Sequence, residues 1–271
     1  MKNICIIIGD PIEHTMSPEM HNLAYKSLGI DDRFVYVSAK VSTKDLPDAI
    51  KGLRAMNIKA ITCTIPHKEA VIDLINELSE EAKQIGAVNS IINVNGKLIG
   101  HNTDWIGITN PLLKRLKNLK DVKIALIGAG GTARAVCFAA KKSGAKLKIF
   151  NRTLSEARKL ASQFDAEAFG LDQIAKISDC KVIINSTNAG MGELTGVSLV
   201  PEDLIRSNMI VFDNVYNPAD TRLILDAKKN GAEIIYGYEM LLHQGIAQFE
   251  LYTGLKAPEN VMEDCLVKNL F

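Results

Sequence analysis

The chain has 271 residues, 47% of them hydrophobic and 23% charged, with 32 Lys and Arg against 31 Asp and Glu for a net charge of +1. That length buries a sizeable core without disulfide or metal staples, and that composition excludes wholesale disorder. The near-zero balance excludes a global positive field for nucleic acid and an acidic tail, and no run approaches the roughly 20 apolar residues of a membrane span.

Short β-rich runs alternate with longer segments of helical period. The first run, 4–8 (ICIII), ends in Gly9-Asp10-Pro11 and is too short for a secretory leader. Strands follow at 33–37, 60–64, 90–94, 123–127, 146–150, 181–185, 209–213 and 233–236, with helices at 17–28, 43–56, 67–75, 132–143, 153–163 and 219–230 between most of them. Asn95-Gly96 fits a hairpin or tight turn between 90–94 and the short run 97–100. A helical stretch runs from after Asp104 to about Leu119, and 238–269 reads as helix. Such alternation with continuous apolar strands predicts parallel sheets covered on both faces, an α/β fold. The boundary between two domains falls near 103–106 without a flexible linker, since no Gly-, Ser- or Pro-rich stretch is present.

The five cysteines (5, 63, 137, 180, 265) are scattered and form no CxxC, which reads as buried thiols in a reducing, cytoplasmic compartment. The five histidines (14, 21, 67, 101, 243) form no HxxxH, and no metal site is expected.

Gly128-Ala129-Gly130-Gly131-Thr132-Ala133 follows strand 123–127 and opens helix 132–143. It matches G-x-G-x-x-G/A. Gly128 permits a tight turn, Gly130 lets a pyrophosphate approach the backbone, and Ala133 lets the helix pack closely on its strand. The helix start then offers free N–H groups and a positive dipole end. One strand later, where a carboxylate would hold the ribose of NAD, the chain reads Asn151-Arg152-Thr153. Arg152 attracts a 2′-phosphate, so NADP is expected over NAD; the alternative is a solvated Arg at a helix start.

Three polar segments end strands in the first hundred residues. In the first, 9–18, Thr15 and Ser17 can seat a carboxylate near a helix start, and Ser17 before Pro18 equally reads as a plain N-cap. The second is Thr64-Ile65-Pro66-His67-Lys68, where Lys68 stands at the unfavourable end of a helix dipole; alone it reads as a surface lysine. The third, 100–104, ends in Asp104, alone a cap or turn residue. If Lys68 and Asp104 meet, they form a cation–carboxylate pair suited to proton transfer. His67 and His101 flank that pair, and His14 is expected to bond within its own loop.

In order, GDPIEHTMSP (9–18), TIPHKE (64–69), GAVN (86–89), NTD (102–104), GAGGTARA (128–135), NRT (151–153), NSTNAGM (185–191), DNVYNPADT (213–221) and EMLLHQG (239–245) resemble the shikimate dehydrogenase family over nearly the whole chain. The resemblance implies an N-terminal α/β substrate domain over 1–104, a doubly wound Rossmann-type NADP domain over 105–237, a cleft between them, and C-terminal helices, 238–271, returning to the first domain. It implies reversible reduction of 3-dehydroshikimate to shikimate with NADPH, Lys68 as the catalytic group and Asp104 as its partner. Thr15 and Ser17 would bind the substrate carboxylate, and Thr64, Asn89, Asp104 and Gln244 its hydroxyls. Asn151, Arg152 and Thr153 would hold the 2′-phosphate. Met191 and Tyr216 would lie near nicotinamide and substrate, with Thr187 and Gly237 also on the cofactor. The expected partner is a small molecule, neither nucleic acid nor membrane, in a monomer or homodimer.

The chain departs from the family pattern at Thr15 (usually Ser), at Thr62-Cys63 (usually Asn-Val), at Trp105 (usually Gly) and at Glu156, where a second basic residue is common and Arg158 is a partial substitute. Thr15 and the altered strand 61–63 leave a sister enzyme preferring quinate as an alternative; a second, a non-catalytic metabolite sensor of the same fold, is opposed by the presence of Lys68, Asp104 and an intact glycine turn.

Overall fold

The computed structural model describes residues 2–271. Their contacts group them into two compact units, one running to Asp104 and including Gln244–Asn269, the other Trp105–His243 with Leu270–Phe271. In chain order the first unit holds β1 (Asn3–Gly9), α1 (Ser17–Ser27), β2 (Phe34–Lys40), α2 (Leu46–Ala55), β3 (Ala60–Cys63), α3 (His67–Ala70), β4 (Glu77–Leu78), α4 (Glu80–Ile85), β5 (Ser90–Val94) and β6 (Lys97–His101). Helix α5 (Asp104–Arg115) begins on its last residue.

Its six strands lie in the order β2-β1-β3-β5-β6-β4. β1 pairs parallel with β2 and β3, as its apolar run buried on both faces requires. The sheet is parallel only in part: β5 runs antiparallel to both β3 and β6, and the hairpin at Asn95-Gly96 joins β5 to β6. The two residues Asn95 and Gly96, with φ of +52° and +86°, can only reverse the chain into a hairpin. The core gathers Ile8, Ile50, Ile61, Val71, Val88 and Ile91. The helix expected over 67–75 is one α-turn, α3, continued as a 3₁₀ turn over Val71–Leu74.

The second unit continues with β7 (Lys123–Ile127), α6 (Gly131–Ser143), β8 (Lys146–Asn151), α7 (Leu154–Phe164), β9 (Glu167–Gly170), β10 (Val182–Asn185), β11 (Ile210–Asp213), α8 (Arg222–Lys229) and β12 (Glu233–Ile235). Its sheet order is β12-β11-β10-β7-β8-β9, every pair parallel. The chain winds outward from β7 through β8 and β9, then crosses back to β10 and winds the other way. That is the doubly wound Rossmann order, with its switch point between β7 and β10. Helix α7 buries Ala157, Leu160, Ala161 and Phe164, one face of a 3.6-residue period. Two helices close the chain, α9 (Gly237–Thr253) and α10 (Glu259–Leu270); α9 carries residues of both units. All five cysteines are buried and free. No helix among the described residues is long and apolar enough to cross a membrane.

Candidate active site

Strand directions decide which residues of the first unit meet. β1 and β3 are parallel, so the segments after Gly9 and Cys63 leave the same end of the sheet. β5 runs the other way, so Asn89, just before it, comes to that end too; β6 reverses again and delivers Asp104 there. Four segments remote in sequence thus converge by register alone.

Lys68 stands on α3. Its carbonyl accepts from Val88 N–H at 2.7 Å, which fastens the helical turn beside the segment leading to Asn89. Its ammonium donates to Asp104 Oδ2 at 2.6 Å, and the two side chains are 12% and 3% exposed. A cation and a carboxylate this buried tolerate each other only as a pair. Asn89 Nδ2 donates to Asp104 Oδ1 at 2.7 Å and to Thr103 Oγ1 at 2.9 Å, and reaches Gln244 Oε1 at 3.4 Å. The Asp104 N–H is satisfied by Asn102 Oδ1 at 3.0 Å. Lys68, Asp104, Asn89 and Gln244 therefore form one connected set.

Thr15 and Ser17 lie together before and at the start of α1, with Ser17 N–H donating to Thr15 Oγ1 at 3.4 Å. The capping alternative for Ser17 does not hold. The cap position is Met16, without a side-chain bond, and Ser17 is the first helical residue and buried. Its hydroxyl is therefore not spent on capping. Thr64 is half-buried after β3 and packs against Gly9, where a Cβ would fall 2.4 Å from Thr64 Cγ2. His67 turns away, its Nε2 2.8 Å from the Val41 carbonyl oxygen. Burial lowers the pKa of His101. Among the described residues no cluster of His, Cys, Asp or Glu could hold a metal ion.

In the second unit Gly128 leaves β7 at φ +113°, and a Cβ there would meet Ser186 Oγ at 2.7 Å and Thr187 Cγ2 at 3.0 Å. Only glycine lets the ends of β7 and β10 close up at the switch point. Gly130 is the cap residue of α6, and a Cβ there would meet nothing within 4 Å. The space above Gly130 is thus open, and the N–H groups of Gly131, Thr132 and Ala133 begin the helix with no side-chain cap. Ala133 is fully buried, so its small size sets the helix-to-sheet approach. Ala129 completes the turn. An open cradle of N–H groups at a 13-residue helix fits a pyrophosphate.

Asn151 ends β8 and donates from Nδ2 to Thr153 O at 3.0 Å, while Arg152 between them is exposed. Thr153 caps α7 in position but without a side-chain bond. Thr187 shapes the turn after β10, its hydroxyl donating to Asn185 Oδ1 at 2.7 Å. Met191 is exposed just beyond it, and Tyr216 is half-buried after β11. Gly237 opens α9 against the chain after β11, where a Cβ would fall 2.5 Å from Val215 O.

Sequence reading missed Ser90, Thr103, Gln248 and the group around Asp213. The Ser90 hydroxyl donates to Asn89 Oδ1 at 2.8 Å and accepts from Gln248 Nε2 at 2.9 Å. Asp213, wholly buried, accepts from Thr221 Oγ1 at 2.6 Å, Asn185 Nδ2 at 2.9 Å and Val215 N at 3.0 Å; burial pushes its pKa up to about 6. A polar residue closing an apolar strand, as Asn185 and Asp213 do, was the available signal.

Three family descriptions match the chain: shikimate dehydrogenase substrate binding domain over 7–91, shikimate/quinate 5-dehydrogenase over 112–214, and shikimate 5′-dehydrogenase C-terminal domain over 237–264. A protein named shikimate dehydrogenase (NADP(+)) from Carboxydothermus hydrogenoformans is 39% identical, over 96% of this chain and 95% of its own. One of the same name from Methanococcoides burtonii is 38% identical over 100% and 99%. The crystal structure of shikimate 5-dehydrogenase from Thermus thermophilus with NADP(H) and shikimate superposes with a TM-score of 0.89 at 34% identity, covering 99% of each chain.

Proposed function

The chain belongs to the shikimate dehydrogenase family, and from that premise we propose that it interconverts 3-dehydroshikimate and shikimate with NADP, using Lys68 and Asp104 as its proton-handling pair. The observation that carries the assignment is the 2.6 Å contact between two nearly buried, oppositely charged side chains, with Asn89 holding the second carboxylate oxygen. The first unit is the substrate-binding part, taken with its chain boundary at 104, and the second, with 105–237 at its heart, is the NADP-binding part; 238–271 closes the chain.

When bound, NADPH supplies the hydride that reduces the ketone carbon. Lys68 as ammonium stabilises the negative charge growing on the ketone oxygen and gives it a proton; in the reverse direction the amine takes the hydroxyl proton. Asp104 keeps the ammonium aimed and accepts from a ring hydroxyl. Thr15 and Ser17 offer hydroxyls to the substrate carboxylate. Thr64, Asn89 and Gln244 bind the ring hydroxyls, so an analogue lacking one leaves a buried polar group unpaired. Tyr216 is a further residue assigned to the substrate. Gly128, Ala129, Gly130, Gly131, Thr132 and Ala133 hold the pyrophosphate, and Asn151, Arg152 and Thr153 the 2′-phosphate; Thr187, Met191 and Gly237 hold the nicotinamide end. Exposed Arg152 has no carboxylate partner among the described residues, as a phosphate-binding guanidinium requires. Thr15 keeps the hydroxyl of the usual Ser, and the relatives named above are shikimate dehydrogenases, so the quinate-preferring alternative is not favoured. Work in the cytoplasm as a monomer or homodimer, without nucleic acid or membrane, completes the proposal.

The test is Lys68→Met, assayed by reduced-nicotinamide absorbance with shikimate and NADP. The expected loss in kcat is about 10²- to 10⁴-fold, with NADP affinity kept. Unchanged turnover would refute the role of Lys68.

A further inference from the structure

Gln244, Gln248 and Tyr252 recur every fourth residue on α9 and so share one face. That face meets β3 and β5, whose register sets Thr62 directly opposite Ser90. Gln244 Oε1 lies 3.4 Å from Asn89 Nδ2, and Gln248 Nε2 donates to Ser90 Oγ at 2.9 Å. The Tyr252 hydroxyl is 2.9 Å from Thr62 Oγ1, itself 2.6 Å from the Tyr36 hydroxyl. All these side chains are buried.

Ser90 has one hydroxyl proton. Because the Gln248 amide donates to its oxygen, that proton is directed to Asn89 Oδ1 at 2.8 Å, where Thr103 N–H donates as well, also at 2.8 Å. Two donors on Oδ1 settle which way round the Asn89 amide sits. Its NH₂ then faces Asp104 Oδ1 and leaves Oδ2 for the Lys68 ammonium. With the amide reversed, its oxygen would face a carboxylate, and Asp104 would be pushed off its bond to Lys68.

Gln248 adds a second observation. Its Oε1 is buried and has no hydrogen-bond partner among the described residues. A wholly buried amide that bonds only to Ser90 among the described residues contributes less to stability than one paired at both ends. An apolar side chain of similar size would serve packing better. The polar group is explained by what it does to Ser90.

We propose that Ser90 and Gln248 are positioning residues for the Lys68–Asp104 pair, acting through the orientation of Asn89. The inference rests on the reading of Lys68 and Asp104 given above.

The experiment compares Gln248→Leu, Ser90→Ala, Ser90→Thr and Lys68→Met in the full-length enzyme, measuring kcat and KM for shikimate and NADP from pH 6 to 10, with Tm alongside. Gln248→Leu and Ser90→Ala are expected to lower kcat about tenfold to a hundredfold and to shift the pH profile, with KM for NADP unchanged. Gln248→Leu is expected to keep or raise Tm, and Ser90→Thr, which restores the hydroxyl, to recover most of kcat. Should Gln248→Leu fail to fold, Gln248→Met supplies the same readout with a more adaptable side chain. Wild-type kcat and pH profile in Ser90→Ala and in the folded Gln248 variant, with Lys68→Met inactive, would overturn the positioning role alone. Full activity in Lys68→Met would overturn the underlying reading.

Discussion

His21 carries no role in the proposed chemistry, yet its burial makes the first unit sensitive to acid. It is wholly buried, stacked on Tyr36 with centroids 4.4 Å apart and planes 7° from parallel, and neither ring nitrogen has a partner among the described residues. Burial pulls its pKa down to about 3. The unfolded chain binds a proton there below about 6.5, while the folded chain does not. Its contribution to stability is therefore present above pH 6.5 and lost as pH falls from there towards 3. Asp213 acts with the opposite sign: its pKa is raised to about 6, so its contribution is present in acid and lost as pH rises through 6. Comparing His21→Phe with the parent cancels the Asp213 effect. Phe keeps a flat ring against Tyr36 and gives up no hydrogen bond. The variant should match or exceed the parent at pH 7, and its advantage should grow by about 2 kcal/mol at pH 5. Urea denaturation at the two pH values decides it; an equal difference at both would mean that His21 does not titrate as its burial implies.

Helix α9 holds two glycines whose substitution should differ in outcome, and the difference is one of what each faces. At Gly237 a Cβ would strike backbone, 2.5 Å from Val215 O and 2.6 Å from Val215 C, and backbone between a strand end and a helix start cannot step aside. At Gly245 the same atom would meet the tip of Met20, Cε at 2.5 Å, a flexible end that can swing away. Gly237→Ala should therefore cost about 1–3 kcal/mol and raise the KM for NADP. Gly245→Ala should stay near neutral, since helix propensity regains up to about 1 kcal/mol. Thermal melts with NADP kinetics test both, and equal losses would refute the contact argument. Neither contact is visible in a one-dimensional pattern. What was legible at this scale were the continuous apolar strands β1, β7, β10 and β11, because burial on both faces imposes their composition. The short elements escaped. β4 has two residues, α4 six, and β9 reads EAFG without a β-branched residue, so each owes its conformation to its neighbours rather than to its own period. The antiparallel direction of β3 against β5 escaped as well, since a strand's residues do not state their partner.

Over the whole chain, the residues proposed to touch a ligand stand in segments that the sequence singles out, and those proposed to orient them do not. The glycine turn stands in a local motif whose chemistry explains each residue type, whereas Lys68 and Asp104, unremarkable alone, were singled out through the family resemblance. Ser90 and Gln248 lie 158 positions apart, joined only by the docking of α9 on the sheet, and no local spacing announces that pair. The division of labour between the units then makes a prediction. The substrate residues proposed from Thr15 to Asp104, with Gln244, belong to one unit; Tyr216 and the residues proposed for NADP, the glycine turn with Asn151, Arg152 and Thr153, belong to the other. Each ligand stabilises the residues that bind it by mass action, about 2.7 kcal/mol at a hundred times its dissociation constant. Amide hydrogen exchange should accordingly report two separate footprints. Shikimate alone should slow exchange at 15–17, 64–68 and 88–90. NADP alone should slow it at 128–133 and 151–153, and Arg152→Ala should weaken the NADP footprint while leaving the shikimate footprint intact. A shikimate footprint centred on 128–133, or an NADP footprint indifferent to Arg152→Ala, would mean that the ligands have been assigned to the wrong residues.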